Sequence, residues 1–495
     1  MTTTSSAPIG RAAATRGDEG ADYAKYAHYP TYCSTPDEMN NRAVPPLRKQ
    51  DDGGSTLVHV TAIIRHGART PWSGPPNMVC WEDYWAQSAD TSVWDCDLFS
   101  YAAPPPPPHS YGTRDASMRS ADFIFEKRYD ASSTKNALNG TCQLGQLLSR
   151  GYDQEITNGR ILRNAYLYDD DEDDDGNVAK NDPRMRLWDT TTTTTTKTTT
   201  RAAVGDMTKP IYHKSNLYYR ADDEQRTLMS GQILLRGLFE KELLIGDHAA
   251  AAADTTTTAA AAAAANNNGS STTAIIQLHT ADYTNDILTP NPRLCPNTFN
   301  LFESAYTSDD YKRWTEHERV EINTIDKFIK SNMKLTNGVG ALGNMIDCMM
   351  TTICTDRTLP SYINDYDGTL GPTMFYYNTD DEEDTTTTTT TPDNVDTTST
   401  NHNSNMFERI INLAVKNFTF AYKYNNGAFP KLGMGPLWYE IMSNISPIVN
   451  PPPTKDGSNK NPPPKFALFS GHDTTLMPLL ASLGDKVWSG LEWAP

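Results

Sequence analysis

Apolar positions in this chain fall into short β-branched runs and longer helical stripes, and several of the runs end abruptly in charge. The first run lies within Leu57 to Pro71, where Val58, Val60, Ala62, Ile63 and Ile64 predict a buried strand that stops at Arg65-His66-Gly67. Gly67 is expected to permit a backbone turn that most residues resist. Ile211 to Tyr219, Ala274 to Leu278 and Phe466 to Phe469 read as further strands, the last with Ser470-Gly471 as its turn. Helical intervals run through Gly140 to Tyr168, and again from Arg226 to Leu243, where Asp222-Asp223-Glu224 stands at the expected helix start. Thr315 to Met333, Ala341 to Thr352, Met406 to Tyr424, Pro436 to Ile445 and Thr474 to Leu483 predict the remaining helices. His279, at the end of its strand, reads as a hydrogen-bonded structural histidine.

Composition changes the picture mainly by marking what is not core. The net charge of -18 owes twelve units to two blocks, Asp169 to Asp175 and Asp380 to Asp384, leaving -6 for the rest. Such blocks read as solvated inserts. With the neighbouring tracts of Thr, Ala and Asn they define three exposed inserts, 169–200, 249–273 and 379–400. Residues 1–54 lack periodicity and read as a loosely packed arm. The run Pro104 to Pro108 is a stiff polyproline spacer. No basic stripe with interleaved aromatics appears, so a nucleic-acid partner is not expected. No apolar run reaches bilayer length, so no membrane span is expected.

The candidate chemistry sits at strand ends. Two guanidiniums, Arg65 and Arg69, flank the imidazole of His66, and arginine offers fork-shaped donors that match phosphate oxygens. Fixed positive charge holds an imidazole neutral, so His66 is suited to attack phosphorus. His472 and Asp473 stand at a second strand end, and open α/β sheets bind ligands at that edge. Arg226, in the first turn of its helix, is near enough to reach the same anion.

Arg65-His-Gly-x-Arg-x-Pro71 resembles the signature of the histidine acid phosphatases. Gly151-x-x-Gln154 with Gly159, Arg163 and Tyr166, then Arg226-Thr-Leu-Met-Ser230, then Ser470-Gly-His472-Asp473-Thr-Thr475, match further family segments in order. The resemblance implies a three-layer α/β/α sandwich with a mainly parallel central sheet and an inserted, mostly helical cap. The catalytic domain would comprise 55–289 and 462–495, and the cap 290–461. It implies hydrolysis of phosphate monoesters through a phosphohistidine on His66, with Arg65, Arg69, Arg226 and His472 binding the phosphate and Asp473 as proton donor. No metal or cofactor is implied. The partner would be a small phosphomonoester, with an inositol polyphosphate or a binding role without turnover as alternatives, and the family admits a homodimer.

Seven cysteines and the sequons at Asn139, Asn268, Asn417 and Asn444 favour a secretory, lysosomal, vacuolar or extracellular setting, although no signal peptide is visible. Cys80 and Cys96 are near enough in sequence to close a small loop. Family members continue beyond the His-Asp pair, and the resemblance implies that Cys295 and Cys354 pair with cysteines of that later region.

Overall fold

The computed structural model describes residues 33, 39, 56–72, 96, 100–102, 125–127, 142–166, 187, 217–239, 276–332, 342–355, 359–360, 363, 406–451 and 463–484. The inserts 249–273 and 379–400, the polyproline run, the sequons at Asn139 and Asn268, and nearly all of the N-terminal arm lie outside them. Of the insert 169–200 only Leu187 is described, and it corrects the expectation of an exposed segment: it is buried in the core, its N–H donating to the Tyr166 carbonyl at 2.9 Å. A four-stranded parallel sheet organises the described residues. Its strands are β1 (Val60–Arg65), β4 (Leu217–Ala221), β5 (Leu278–His279) and β6 (Phe466–Gly471), in the order β1-β6-β4-β5. A separate antiparallel pair joins β2 (Ser100–Ala102) to β3 (Phe125–Lys127).

The period-two alternation of the strands decides which side chains meet which helices. One face presents Val60, Ala62, Ile64, Leu217, Tyr219 and Leu468 to two helices, α1 (Ser149–Tyr166) and α2 (Gln225–Phe239). The other presents Ile63, Tyr218, Ala467 and Phe469 to Leu288, Leu479, Met434, Leu437 and Ile441. Helices therefore cover both faces, and β6 between β1 and β4 is buried along its whole length. That burial explains its uninterrupted apolar character. The expected parallel α/β sheet is what the chain forms.

The remaining helices are α3 (Asn297–Thr307), α4 (Asp309–His317), α5 (Arg319–Asn332), α6 (Leu342–Cys354), α7 (Met406–Gly433), α8 (Gly435–Val449) and α9 (Asp473–Ser482). The expected helix from Thr315 to Met333 is divided: α4 ends at His317 and α5 begins at Arg319. Ser308, whose Oγ accepts from the Tyr311 N–H at 3.0 Å, starts α4 earlier than apolar spacing suggested. α3 was not foreseen; Asn and Thr weaken its propensity, and tertiary packing of Leu301, Ala305 and Tyr306 against α7 and α9 supplies the stability instead. α7 breaks near its expected end, since Asn425, Asn426 and Gly427 are left-handed. α5, α6 and the first half of α7 pack around Ile325, Met349, Phe407 and Ile410 as a helical body beside the sheet, whereas α8 packs on the sheet itself.

The disulfides correct two expectations. Cys96 bonds Cys142, not Cys80, and Cys354 bonds Cys33 across 321 residues, not a partner near the C-terminus. Sequence proximity misleads here because chain topology brings distant segments together. Cys295 is a free thiol. Disulfides fit an oxidising compartment. The sequons at Asn417 and Asn444 lie inside α7 and α8, not in surface loops. No helix among the described residues is long and apolar enough to cross a membrane.

Candidate active site

Three strands end side by side at the sheet's carboxyl edge. The His66 N–H donates to the Gly471 carbonyl at 3.0 Å and the Asp222 N–H to the Ser470 carbonyl at 3.2 Å. His66, His472 and Asp222 therefore follow β1, β6 and β4 at one rim. The ring centroids of His66 and His472 are 5.3 Å apart, edge to face. Residues four hundred positions apart in sequence thus share one pocket, as their strand-end positions suggested.

The loop after β1 is held by residues of the other motifs. The Gly67 N–H donates to Ser230 Oγ at 3.1 Å and the Ala68 N–H to Gln154 Oε1 at 2.7 Å. A Cβ on Gly67 would lie 2.6 Å from the Gly151 carbonyl oxygen, and one on Gly151 would lie 2.4 Å from that of Ala68. Gly67 is thus required by close approach to α1, and not by the left-handed turn expected of it. Ser470 Oγ donates to the Thr227 carbonyl at 2.8 Å, and the His472 N–H to Thr475 Oγ1 at 3.0 Å. Arg163 Nη1 donates to the Leu238 carbonyl at 3.0 Å, joining α1 to α2.

His66 is buried, and its Nδ1 lies 2.8 Å from the Gly67 carbonyl. A carbonyl only accepts, so Nδ1 carries the proton and Nε2 keeps an unprotonated lone pair. Burial first, then the charges of Arg65 and Arg69, hold the ring's pKa well below 6.5. The cations alone were expected to do this, but desolvation contributes more. Arg69 Nε donates to His66 Nε2 at 3.4 Å.

Each guanidinium also meets a carboxylate. Arg65 Nη2 lies 3.5 Å from Asp473 Oδ2, Arg69 Nη2 lies 2.8 Å from Asp347 Oδ1, and Arg226 Nη2 pairs with Glu224 Oε2. Arg226 is no surface residue: its side chain is 12 % exposed, and its Nη1 donates to the Gly145 carbonyl at 3.3 Å. His472 Nε2 donates to Asp222 Oδ2 at 2.8 Å, so in this arrangement that proton is directed to Asp222. Burial pushes the Asp222 carboxyl up, but the hydrogen bond from His472 and nearby charge outweigh it and hold it low. Burial likewise pushes Asp473 up, and Arg65 with Arg69 outweighs that and holds it below the usual carboxylate range. Asp473 is the first residue of α9, whose N-cap is His472, so it faces the site without serving as the cap.

Asp347, Asp222 and Glu224 were not singled out as site residues. Asp347 lies on α6 and also accepts from the Trp72 N–H at 2.6 Å, an encounter across 275 residues that no local pattern announces. Asp222 and Glu224 were legible only as helix-start acids. Among the described residues, Asp222, Glu224 and His472 bring ligand atoms within 4.8 Å of one another, a geometry that could hold a cation. His279 stacks on Tyr218 at 4.6 Å, which fits a structural role.

Glu155 on α1 is a further buried carboxyl, hydrogen-bonded by Asn158 Nδ2 at 3.2 Å. Burial raises its pKa from 4.5 to about 8. It lines a cavity of about 570 Å³ that runs along β1 to Arg65 and His66. Its folded-state pKa exceeds the unfolded one, so its stabilising effect is complete below the unfolded value and is lost as pH rises through the folded value. Thermal unfolding from about pH 5 to about pH 9 should therefore show falling stability, and Glu155→Gln should remove a part on the order of 3 kcal/mol. An unchanged pH slope in Glu155→Gln would contradict this.

A parallel sheet whose carboxyl edge gathers two histidines, three arginines and their carboxylates defines an α/β protein with a charged rim. The chain belongs to the histidine phosphatase superfamily (branch 2), whose model matches residues 56–494. It is similar to Counting factor 60 of Dictyostelium discoideum, 21% identical over 469 residues, 94% of this chain and 78% of that one. Among solved structures, the phytase from Citrobacter braakii aligns with a TM-score of 0.39 and 13% identity, covering 86% of this chain and 75% of that chain.

Proposed function

We propose that this chain is a metal-independent acid phosphatase that hydrolyses small phosphate monoesters through a phosphohistidine on His66. The observation that carries the reading is the tautomer of His66: Nδ1 is committed to the Gly67 carbonyl, leaving Nε2 as a buried, unprotonated nucleophile among three guanidiniums. Nε2 bonds phosphorus as the ester P–O bond breaks, and the departing alkoxide takes a proton from Asp473. Water then attacks the phosphohistidine, Asp473 receives its proton, and inorganic phosphate leaves. Arg65, Arg69, Arg226 and His472 neutralise the equatorial oxygens.

Asp473 is ionised in the free site, yet it must donate. A bound phosphate dianion offsets the charges of Arg65 and Arg69 and adds negative charge beside the carboxyl, and both changes raise its affinity for a proton. Protonated Asp473 is thus a property of the substrate complex, and it is lost as pH rises. His66, with its depressed pKa, stays unprotonated into the acid range. Turnover of an aliphatic phosphate monoester should accordingly be highest at mildly acidic pH and fall toward about pH 9. A rate that climbs steadily over about pH 5 to 9 would contradict the donor role.

We read the helical body built on α5, α6 and α7 as the cap over this site, a reading supported by Asp347 of α6 reaching Arg69. The disulfides support a secretory or extracellular setting. An inositol polyphosphate is the alternative substrate, and a homodimer is compatible with the reading.

A further inference from the structure

We infer that Glu224 is a built-in competitor of the substrate: its carboxylate occupies the position of a phosphate oxygen between Arg226 and His472 and must swing out before the phosphoryl group can bind. This rests on the phosphate-binding roles proposed above. A single oxygen, Glu224 Oε2, pairs with Arg226 Nη2 and lies 3.6 Å from His472 Nε2. That oxygen is sealed from solvent. An anionic oxygen paired with a guanidinium, beside an imidazole whose proton goes to Asp222, holds the place a phosphate oxygen would take at Arg226.

The other carboxylates of the site differ in how freely they can leave. Asp347 is 12 % exposed and is also held by the Trp72 N–H, so it fixes Arg69 in place. Asp473 Oδ1 accepts from the Thr474 N–H at 2.7 Å, which anchors it to the start of α9. Asp222 is held by His472 Nε2 at 2.8 Å. Glu224 combines a buried terminal oxygen with a side chain 41 % exposed, the largest exposure of the four, so solvent lies on its outward path. It also precedes α2, so its movement leaves the helix that carries Arg226 intact.

The consequence is selective. Substrates able to displace Glu224 are those whose phosphoryl dianion satisfies both Arg226 and His472, while a second or third phosphate on the same molecule meets the carboxylates that remain. The site should therefore favour monoesters with a neutral or cationic alcohol over polyphosphorylated ones.

Titration calorimetry of the full chain with inorganic phosphate, beside steady-state turnover of p-nitrophenyl phosphate, tests this. Glu224→Gln keeps the shape and removes the charge. It should bind phosphate about tenfold more tightly than the parent, with KM falling in parallel and kcat not rising. Glu224→Ala should move in the same direction. Asp223→Asn, which removes the same charge from the exposed neighbouring position, should change phosphate affinity less than about twofold. Turnover in the parent with unchanged phosphate affinity in both Glu224 variants overturns the inference while leaving the proposed function standing. Equal tightening in Asp223→Asn also overturns it, because general charge would then be the cause. Absence of both phosphate binding and turnover in the parent and in every variant overturns the proposed function and the inference with it. Phosphate binding that emerges only in the Glu224 variants supports the inference.

Discussion

His66→Ala should lose turnover of p-nitrophenyl phosphate by about four orders of magnitude or more while still binding phosphate. The substitution removes the one ring nitrogen with an unprotonated lone pair, since Nδ1 is held by the Gly67 carbonyl. It leaves Arg65, Arg69 and Arg226 in place, and these supply most of the charge that attracts the anion. Because His66 is followed by a loop pinned through Gly67 and Ala68, the cavity left by the ring need not collapse the strand end. Rapid acid or base quench with labelled substrate should trap an acid-labile, base-stable phosphoenzyme in the parent and none in the variant. Undiminished turnover by His66→Ala would remove the covalent mechanism.

Asp473→Ala should separate binding from proton transfer. Arg65 loses the carboxylate 3.5 Å from its Nη2, so phosphate affinity should hold or improve. The rate penalty should depend on the alcohol. An ester of a nitrophenol needs little protonation as it departs, whereas an aliphatic alkoxide needs nearly a whole proton, so the variant's loss should be larger for the aliphatic ester by about two orders of magnitude. The acidic preference should also flatten for the aliphatic ester, since the group whose protonation set it is gone. Equal losses on both esters would assign Asp473 to positioning and move the donor elsewhere.

What could be read in the amino-acid order was local. Short apolar runs, β-branched in β1 and aromatic-rich in β6, located both strands, and a glycine beside a charged motif marked each as a strand end with chemistry. Arg226 was recognisable in the first turn of α2 because acids precede it and leucines follow at helical spacing. Pairings between segments were not readable. Asp347 lies in an unremarkable apolar helix, and its tie to Arg69 exists only because α6 lies beside the β1 loop. Cys33 and Cys354 gave no hint of one another, while Cys80 and Cys96 offered a short loop that Cys142 supersedes by taking Cys96. Glu224 shows the limit most plainly. An acid just before a helix has an ordinary explanation in the helix dipole, and only the arrival of His472 from the far end of the chain gives it a second contact.

Among the described strands, the one between β1 and β4 comes latest in the sequence. β1 and β4 pair with β6 on either side and, among the described residues, not with each other. On the ribosome, both must therefore wait with open hydrogen-bonding edges until Phe466 to Gly471 emerges, and only then does the reaction centre come into being. A nascent polypeptide of this design carries exposed strand edges for a long interval, which makes it a demanding client for chaperones.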